Sequence, residues 1–343
     1  DKLVIDFKDY LLQHHTMDYL NSTFNSLRGS TGTLPNIPPS LTSLGWTYNN
    51  CNTATGRVPA LPELVSDCSG LFAGCYGITG PMPSTLPVVL SNMYRMFDNC
   101  RSLTGTIPNY PPLVSDCRHV YQSCYSLTGS IPPFPKRAKE YDKMYNGCSG
   151  LTGTIPAIPD TTTNLSQTFE GCSGLTGTIP ALPSSTTTLY RTFKNCSSLT
   201  GGVPAFPPKI TSLYQAFCGC SSLDGTISNT LSGCTSLTNM ESTFQDCSSL
   251  TGNTPDIPSG VTVMTASFKG CSSLDGTIGM IPSSVTVVQS AFSGCGLLTG
   301  QAPPLWDSSI YPNITQPAAG TRNYCFQGCT SLSNYSSIPD EWK

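Results

Sequence analysis

Charged residues are scarce in this sequence. Only 11% of the 343 residues are Asp, Glu, Lys or Arg, whereas about 25% is usual for soluble domains. The formal net charge of -3 is small, and the Lys and Arg residues form no basic stripe of the kind that follows a phosphate backbone. We therefore expect no nucleic-acid partner.

Histidine and long apolar runs are also rare. The three histidines are His14, His15 and His119, and none lies in a recognisable catalytic motif. No Cys-x-x-Cys pair occurs, which argues against a zinc site. We therefore predict no enzyme, no catalytic residue, no cofactor and no metal, and we interpret the histidines as ordinary surface or cap residues. No apolar run approaches the ~20 residues that span a bilayer, so we predict that the chain itself does not cross a membrane.

What the sequence does contain is a motif that returns about every 24 residues. In residues 193–201 it reads Phe-Lys-Asn-Cys-Ser-Ser-Leu-Thr-Gly, with an anchor position three residues after the aromatic. A fixed period along the chain predicts a repeat array rather than several globular domains. The anchors are Leu27, Cys51, Cys75, Cys100, Cys124, Cys148, Cys172, Cys196, Cys220, Cys247, Cys271, Cys295 and Cys329.

The spacing inside one unit predicts its local structure. Leu189, Phe193 and Cys196 lie at i, i+4 and i+7, which is the spacing of one helical face and predicts a short helix with these residues inward. Residues 151–156 read Leu-Thr-Gly-Thr-Ile-Pro, and their alternation predicts a strand that Pro ends. No unit buries its apolar set alone, so stability has to come from stacking neighbours.

These units resemble the BspA-like family of bacterial surface proteins within the leucine-rich repeat superfamily. Residues 291–295 read Ala-Phe-Ser-Gly-Cys and residues 268–274 read Phe-Lys-Gly-Cys-Ser-Ser-Leu, which match the family pattern closely. The resemblance covers roughly residues 24–335. The last segment, residues 323–343, is similar to the ends of phage-encoded arrays of this type.

Spacing and resemblance together predict an α/β solenoid. We expect a leucine-rich-repeat-like, right-handed array of about 13 units of 24 residues, with a parallel β-sheet on one face and short helices on the other. Residues 1–23 are predicted to form an N-terminal cap, and residues 24–300 the repeat array, with an irregular half-unit near 228–240. Residues 301–343 are predicted to hold the last repeat and a C-terminal cap.

Seventeen cysteines invite a metal or disulfide interpretation, but their placement favours a structural one. Twelve of the seventeen occupy the anchor position beside the inward aromatic, where we expect a stack of buried thiols that behave as small apolar groups. An odd total leaves at least one thiol free, and disulfides among the others stay open. The five cysteines outside the anchor position are Cys68, Cys117, Cys218, Cys234 and Cys325.

The outward threonines of the strand motif are the first candidate ligand site. In most units Thr lies four residues after the anchor, Gly follows it, and a second polar residue often follows the Gly. Parallel strands would stack such hydroxyls about every 4.8 Å, which predicts a polar platform for a glycan or a protein surface. The alternative is that Thr simply suits strands. The candidate residues are Thr104, Thr106, Thr128, Thr152, Thr154, Thr176 and Thr178.

Two departures from the threonine pattern add candidate residues. Asp224 and Asp275 replace the threonine in their units, which predicts that specificity is localised near the half-unit. Tyr190 and Tyr214, together with Tyr94, follow the first inward residue of their units and predict an exposed aromatic patch. The alternative for the tyrosines is packing along a helix flank.

These features favour a non-enzymatic recognition or adhesion module. We expect an extracellular protein on a bacterial surface or virion, as in a phage tail fibre, that binds a host or cell-surface glycan or protein. A structural spacer or filament-forming subunit is the second hypothesis, with a homo-oligomer or a larger assembly left open. Ice binding through threonine rows is a remote third, because Arg57, Pro81 and Gly202 interrupt the second row. The chain starts at Asp1 without Met, so we expect a processed product or part of a longer protein.

Overall fold

The computed structural model describes residues 22, 32–34, 36–318 and 320–343. The chain divides into two compact units, Asp1–Pro159 and Asp160–Lys343, and each is a stack of repeats. The anchor Leu27 and nearly all of the predicted N-terminal cap lie outside the described residues. The predicted division into cap, array and cap stays a prediction, as do the repeat count and the handedness.

The Leu-Thr-Gly segments form very short parallel strands. The strands are β1 (Gly32–Thr33), β2 (Ala54–Thr55), β3 (Gly80–Pro81), β4 (Leu103–Thr106) and β5 (Leu127–Thr128). In the first unit β1 pairs with β2, and β4 lies between β3 and β5. In the second unit the same segments are joined by single parallel bridges, such as Gly177 to Leu199. The predicted parallel pairing is therefore confirmed, although the strands are short.

The glycine of the Leu-Thr-Gly segment is required for two steric reasons. Gly201 has φ +79°, a left-handed conformation that costs side-chain-bearing residues about 1–2 kcal/mol. A Cβ at Gly201 would also lie 2.8 Å from Cγ2 of Thr178 in the preceding repeat. Gly129 is placed in the same way, at φ +78° and with Thr106 above it. The Thr-Gly-Thr pattern is therefore a packing motif between repeats.

The short helices that the inward spacing predicts are absent from the described residues, so this prediction is wrong. Consecutive tight turns take their place. Thr192 donates its backbone N–H to Leu189 O at 3.1 Å, and Cys196 donates to Phe193 O at 3.0 Å, each across three residues rather than four. Two tight turns in succession place the same three side chains inward as two helical turns do.

Alternate N–H groups of this turn segment donate to the following repeat. The three bonds run from Arg191 N to Tyr214 O (3.0 Å), from Phe193 N to Ala216 O (2.8 Å) and from Asn195 N to Cys218 O (2.7 Å). Arg191 (φ +52°) and Asn195 (φ +60°) are left-handed, and an α-helix of L-residues does not contain such positions. The residue before the anchor is accordingly Asn, Gly, Ser or Asp, most of which tolerate this conformation best.

Aromatic side chains three residues before the anchors form the centre of each unit. In the second unit, successive Phe rings from Phe169 to Phe326 stack with centroids 5.3–5.7 Å apart. In the first unit, the rings of Tyr48, Phe72, Phe97, Tyr121 and Tyr145 stack at 5.6–6.1 Å. Offset stacking of this kind adds to the stabilisation that burial of the rings supplies.

The anchor cysteines contribute a hydrogen bond between repeats as well as apolar volume. Cys220 Sγ lies 2.9 Å from Phe193 O, and Cys196 Sγ lies 3.0 Å from Phe169 O. All seventeen cysteines fall within the described part of the chain, and each is a buried thiol outside any disulfide. The predicted burial of the thiols is therefore confirmed. Burial raises the pKa of Cys148 and of Cys329 to about 12, because a thiolate is poorly solvated there.

The C-terminal segment occupies the place of a further repeat at the end of the second unit. Its two 3-10 helices are Tyr335–Ser337 and Asp340–Trp342. Asn323 N donates to Glu341 O at 2.6 Å and Phe326 N donates to Trp342 O at 2.9 Å, so these last turn amides are satisfied. The Trp342 side chain is buried. No helix in the described ranges is long and apolar enough to cross a membrane.

We expect Gly201→Ala to lower the free energy of unfolding by about 1–2 kcal/mol, because the left-handed φ disfavours any side chain. Gly202→Ala is the matched control. Its Cβ would meet no atom closer than 3.8 Å, so we expect a change within about 0.5 kcal/mol. Equilibrium urea unfolding of both variants measures the difference, and equal losses would contradict the steric role of Gly201.

We also expect stability to fall as the pH rises above about 9. Unfolded cysteines ionise near pH 8.5, whereas the folded pKa of Cys148 is about 12, so the unfolded state loses protons first. The stabilisation is complete below the unfolded pKa and disappears as the pH approaches the folded one. Urea unfolding at pH 8, 9 and 10 tests this, with Cys329→Ala expected to show a shallower decline. A flat profile would contradict the prediction.

Candidate functional site

The predicted threonines all lie on the surface. In the repeat around Leu151 and Ile155 these two side chains are buried, while Thr152 and Thr154 between them are exposed. The same alternation holds in the neighbouring repeats because the strand period is two. We call the exposed threonines of this segment the threonine face: Thr104, Thr106, Thr128, Thr152 and Thr154 in the first unit, and Thr176 and Thr178 in the second.

Threonine hydroxyls before the glycine lie close to the backbone of the preceding repeat. Thr128 Oγ1 lies 3.4 Å from Gly105 O, and Thr299 Oγ1 lies 3.2 Å from Asp275 O. A hydroxyl that donates its one hydrogen in this way keeps two lone pairs on its oxygen. At Thr128 the threonine face therefore presents a hydrogen-bond acceptor to solvent.

The pairing register staggers these hydroxyls. Thr106, which follows the glycine of β4, is paired with Thr128, which precedes the glycine of β5. A threonine after the glycine in one strand therefore lies beside a threonine before the glycine in the next. This register departs from the simple stacking that the sequence predicts.

Asp224 and Asp275 are exposed, and each carboxylate caps the backbone of the preceding repeat. Asp224 Oδ1 accepts the N–H of Gly201 at 2.7 Å, and Asp275 Oδ1 accepts the N–H of Gly252 at 2.8 Å. These carboxylates therefore have a structural task that the sequence analysis missed, since their partners lie one repeat away. A ligand role for them stays a prediction.

Tyr190 and Tyr214 are brought together in the turn segment of the second unit. Their rings stack at 5.2 Å between centroids and 8° between planes, and the Arg191 guanidinium lies 5.4 and 5.7 Å from the two centroids. Glu170 pairs with Arg191 at 3.8 Å. The two tyrosines lie on the turn segment rather than on a helix flank. The turn segment is a different part of the repeat from the strand segment that carries the threonine face.

His119 does not behave as the ordinary surface residue that the sequence suggests. It is 8% exposed, its Nε2 lies 3.0 Å from Asp142 Oδ2, and its Nδ1 lies 2.6 Å from Gln122 Oε1. His14 and His15 lie outside the described residues. Among the described residues no group of three or more His, Cys, Asp or Glu side chains is placed to hold a metal ion.

A second row of hydroxyls was missed by the sequence analysis. Thr187 Oγ1 lies 3.2 Å from Thr163 O, and Thr262 Oγ1 lies 3.3 Å from Thr238 O. The sequence feature that indicates this row is a Ser or Thr two residues before the first inward residue of most repeats. Parallel bridges join the next positions, as between Asn239 and Val263, so each repeat has a second ladder.

Residues 141–275 match the family model described as BspA type Leucine rich repeat region, in six copies. This segment is a BspA-type leucine-rich repeat region. The match confirms the resemblance drawn from the Phe-x-x-Cys-Ser-Ser-Leu pattern. No curated protein matches the chain significantly.

Two crystal structures show the same fold as this chain. A leucine rich cell surface protein from Faecalibacterium prausnitzii A2-165 is 20% identical with a TM-score of 0.51, over 91% of this chain and 80% of that one. A leucine-rich repeat protein from Bacteroides ovatus ATCC 8483 is 19% identical with a TM-score of 0.53, over 94% of this chain and 85% of that one. At these identities the likeness establishes a repeat fold of the leucine-rich type.

We expect Asp224→Ala to lower the free energy of unfolding by about 1 kcal/mol, because the Gly201 N–H loses a charged acceptor. Asp224→Asn keeps an oxygen acceptor of the same reach and is expected to lose less. Urea unfolding of both variants provides the measurement. If Ala and Asn were equally stable, the carboxylate would not act as a backbone cap.

Proposed function

We propose that this protein is a non-enzymatic, extracellular recognition module that binds a glycan or protein of a host or cell surface through its threonine face. Its place would be a bacterial cell surface or a virion, as part of a phage tail fibre. The observation that carries the proposal is the row of exposed hydroxyls that each unit presents from a rigidly stacked backbone.

The chemistry of the face supports polar recognition. Its threonine hydroxyls are exposed on short strands that neighbouring repeats hold in place, and each oxygen can accept a hydrogen bond. Rigid side chains with two rotatable bonds or fewer lose little entropy when a ligand binds. Sugar hydroxyls and backbone N–H groups of a partner protein are the donors that such a surface suits.

The BspA-type repeats support an extracellular setting. The F. prausnitzii protein of the same fold is described as a cell surface protein, which favours a surface location for this chain as well. Leucine-rich repeat proteins generally act as binding modules without catalysis. A recognition role is thus consistent with both fold and surface.

Introducing bulk on the threonine face tests the proposal. We expect Thr152→Arg and Thr176→Arg, singly and together, to weaken binding of the full chain to glycan arrays and intact cells by about tenfold or more, because the long side chains prevent close approach. Thr187→Arg and Thr211→Arg are matched controls, since both are exposed threonines of the second ladder. We expect these controls to bind as the unchanged protein does.

Unchanged binding by the Thr152 and Thr176 variants would reject the threonine face as the binding surface. Equal losses in the Thr187 and Thr211 variants would indicate a general effect of added charge. Light scattering of the unchanged protein tests the structural hypothesis, because a filament subunit would give scattering that rises steeply with concentration. Such filaments without surface binding would favour a spacer or filament role.

A further inference from the structure

One column of surface residues in the first unit, at the same position of successive repeats, differs in residue type from the other repeats. The position directly after the anchor cysteine is Ser in six successive repeats, from Ser149 to Ser272. In three successive repeats of the first unit it is instead Tyr76, Arg101 and Tyr125. Tyr76 is 41% exposed and Tyr125 is 46% exposed, and Arg101 is also exposed. Because serine occupies the same position in other repeats, the repeat fold does not require these larger residues.

Arg101 is held in place and carries an available positive charge. Its guanidinium carbon lies 4.8 Å from the centroid of the Tyr76 ring, which is a favourable cation–π distance. Its Nη2 lies 3.4 Å from Asn99 Oδ1. No carboxylate within the described ranges forms an ion pair with it. By contrast, Arg118 pairs with Asp116 at 2.7 Å and Arg191 pairs with Glu170.

Tyr125 is positioned by the repeat that follows it. A Cβ at Gly147 would lie 3.0 Å from the Tyr125 ring, so the ring lies against bare backbone on that side. Nearly half of the residue remains exposed. A ring placed in this way offers an apolar surface to a ligand without first losing much side-chain entropy.

Hydroxyl groups flank this column. Ser126 Oγ donates to Arg101 O at 2.9 Å, which ties the second and third repeats together. Thr104 lies three residues after Arg101, and Thr128 lies three residues after Tyr125. In both repeats a buried leucine directly precedes the threonine. The neighbourhood therefore combines aromatic faces, one unpaired cation and hydroxyl acceptors.

We propose that Tyr76, Arg101 and Tyr125 form a subsite for a carboxylate-bearing sugar, such as a hexuronic acid unit of a surface glycan. The Tyr125 ring packs against the C–H face of the pyranose, and the Arg101 guanidinium, which Tyr76 holds in place, binds the carboxylate through two parallel N–H donors. This inference rests on the proposed recognition function and specifies the glycan chemistry for one part of the surface.

Binding of defined oligosaccharides to the full chain tests the subsite. Isothermal titration with galacturonate oligomers and hyaluronan oligomers is compared with maltooligosaccharides of equal length. We expect the acidic oligomers to bind at least about tenfold more tightly, and the preference to shrink as salt is raised. Monomeric galacturonate separates the contribution of the carboxylate from that of the chain.

The variants replace residues of the column with serine, which other repeats have at the same position. We expect Arg101→Ser to remove the preference for acidic oligomers and Tyr125→Ser to weaken both classes several-fold, with thermal unfolding unchanged. Arg137→Ser is the matched control, because Arg137 is an exposed cation outside the column. Its affinity for acidic oligomers is expected to stay within twofold of the unchanged protein.

Three results would overturn the subsite: no binding of either acidic oligomer, equal binding of acidic and neutral oligomers, or full affinity in Arg101→Ser. An equal loss in Arg137→Ser would reduce the effect to overall charge and overturn it as well. If cell binding still depends on Thr152 and Thr176, the recognition function survives such a result. If neither cell binding depends on Thr152 and Thr176 nor the binding of acidic oligomers depends on Arg101, both the recognition function and the subsite are rejected.

Discussion

Alternate backbone N–H groups of each turn segment donate to the next repeat, and the other features of both units depend on these bonds. A buried amide without a partner is costly, so a repeat is stable only when its neighbour is in place. The bonds from Arg191, Phe193 and Asn195 set the repeats at hydrogen-bonding distance. At that distance the inward rings stack at 5.3–5.7 Å in the second unit.

The same constraint explains the choice of cysteine. Phe193 O already accepts the N–H of Cys196 within its own repeat, and it has a second lone pair. Cys220 Sγ, one repeat later, fills this second position at 2.9 Å. A thiol is small enough to be buried between rings and donates weakly, so it supplies the contact with a low desolvation cost.

Much of the fold follows from the period of the sequence. The burial of Leu189, Phe193 and Cys196 and the exposure of the threonines are read correctly, because both depend on local spacing. The predicted helix is wrong. Two successive tight turns place the same three residues inward, so the spacing alone does not distinguish them from a helix. The asparagine at 195 was the available sign of a left-handed residue. To predict the second hydroxyl ladder, one has to know which carbonyl of one repeat faces which hydroxyl of the next. The spacing of residues within one repeat does not give this information.

The candidate site was predictable to a smaller extent, because its geometry arises between repeats. Exposure of Thr152 and Thr154 follows from alternation alone. The capping of Gly201 by Asp224 does not, because the donor and acceptor are 23 residues apart. The stacked Tyr190–Tyr214 pair likewise depends on the register of two repeats. His119 was expected at the surface, whereas Gln122 and Asp142 hold it in a buried position.

The hydrogen bonds that join one turn segment to the next also bear on how such a chain evolves. Every repeat offers its neighbours nearly the same donors, carbonyls, ring and thiol, so a duplicated or deleted segment of one whole period leaves matching contacts on both sides. Insertions of other lengths break the match. The outward positions lie outside the ring, thiol and turn-amide contacts, so they can diverge in each copy without breaking them. A gene of this kind can therefore lengthen its protein by unequal recombination and alter the surface chemistry one repeat at a time.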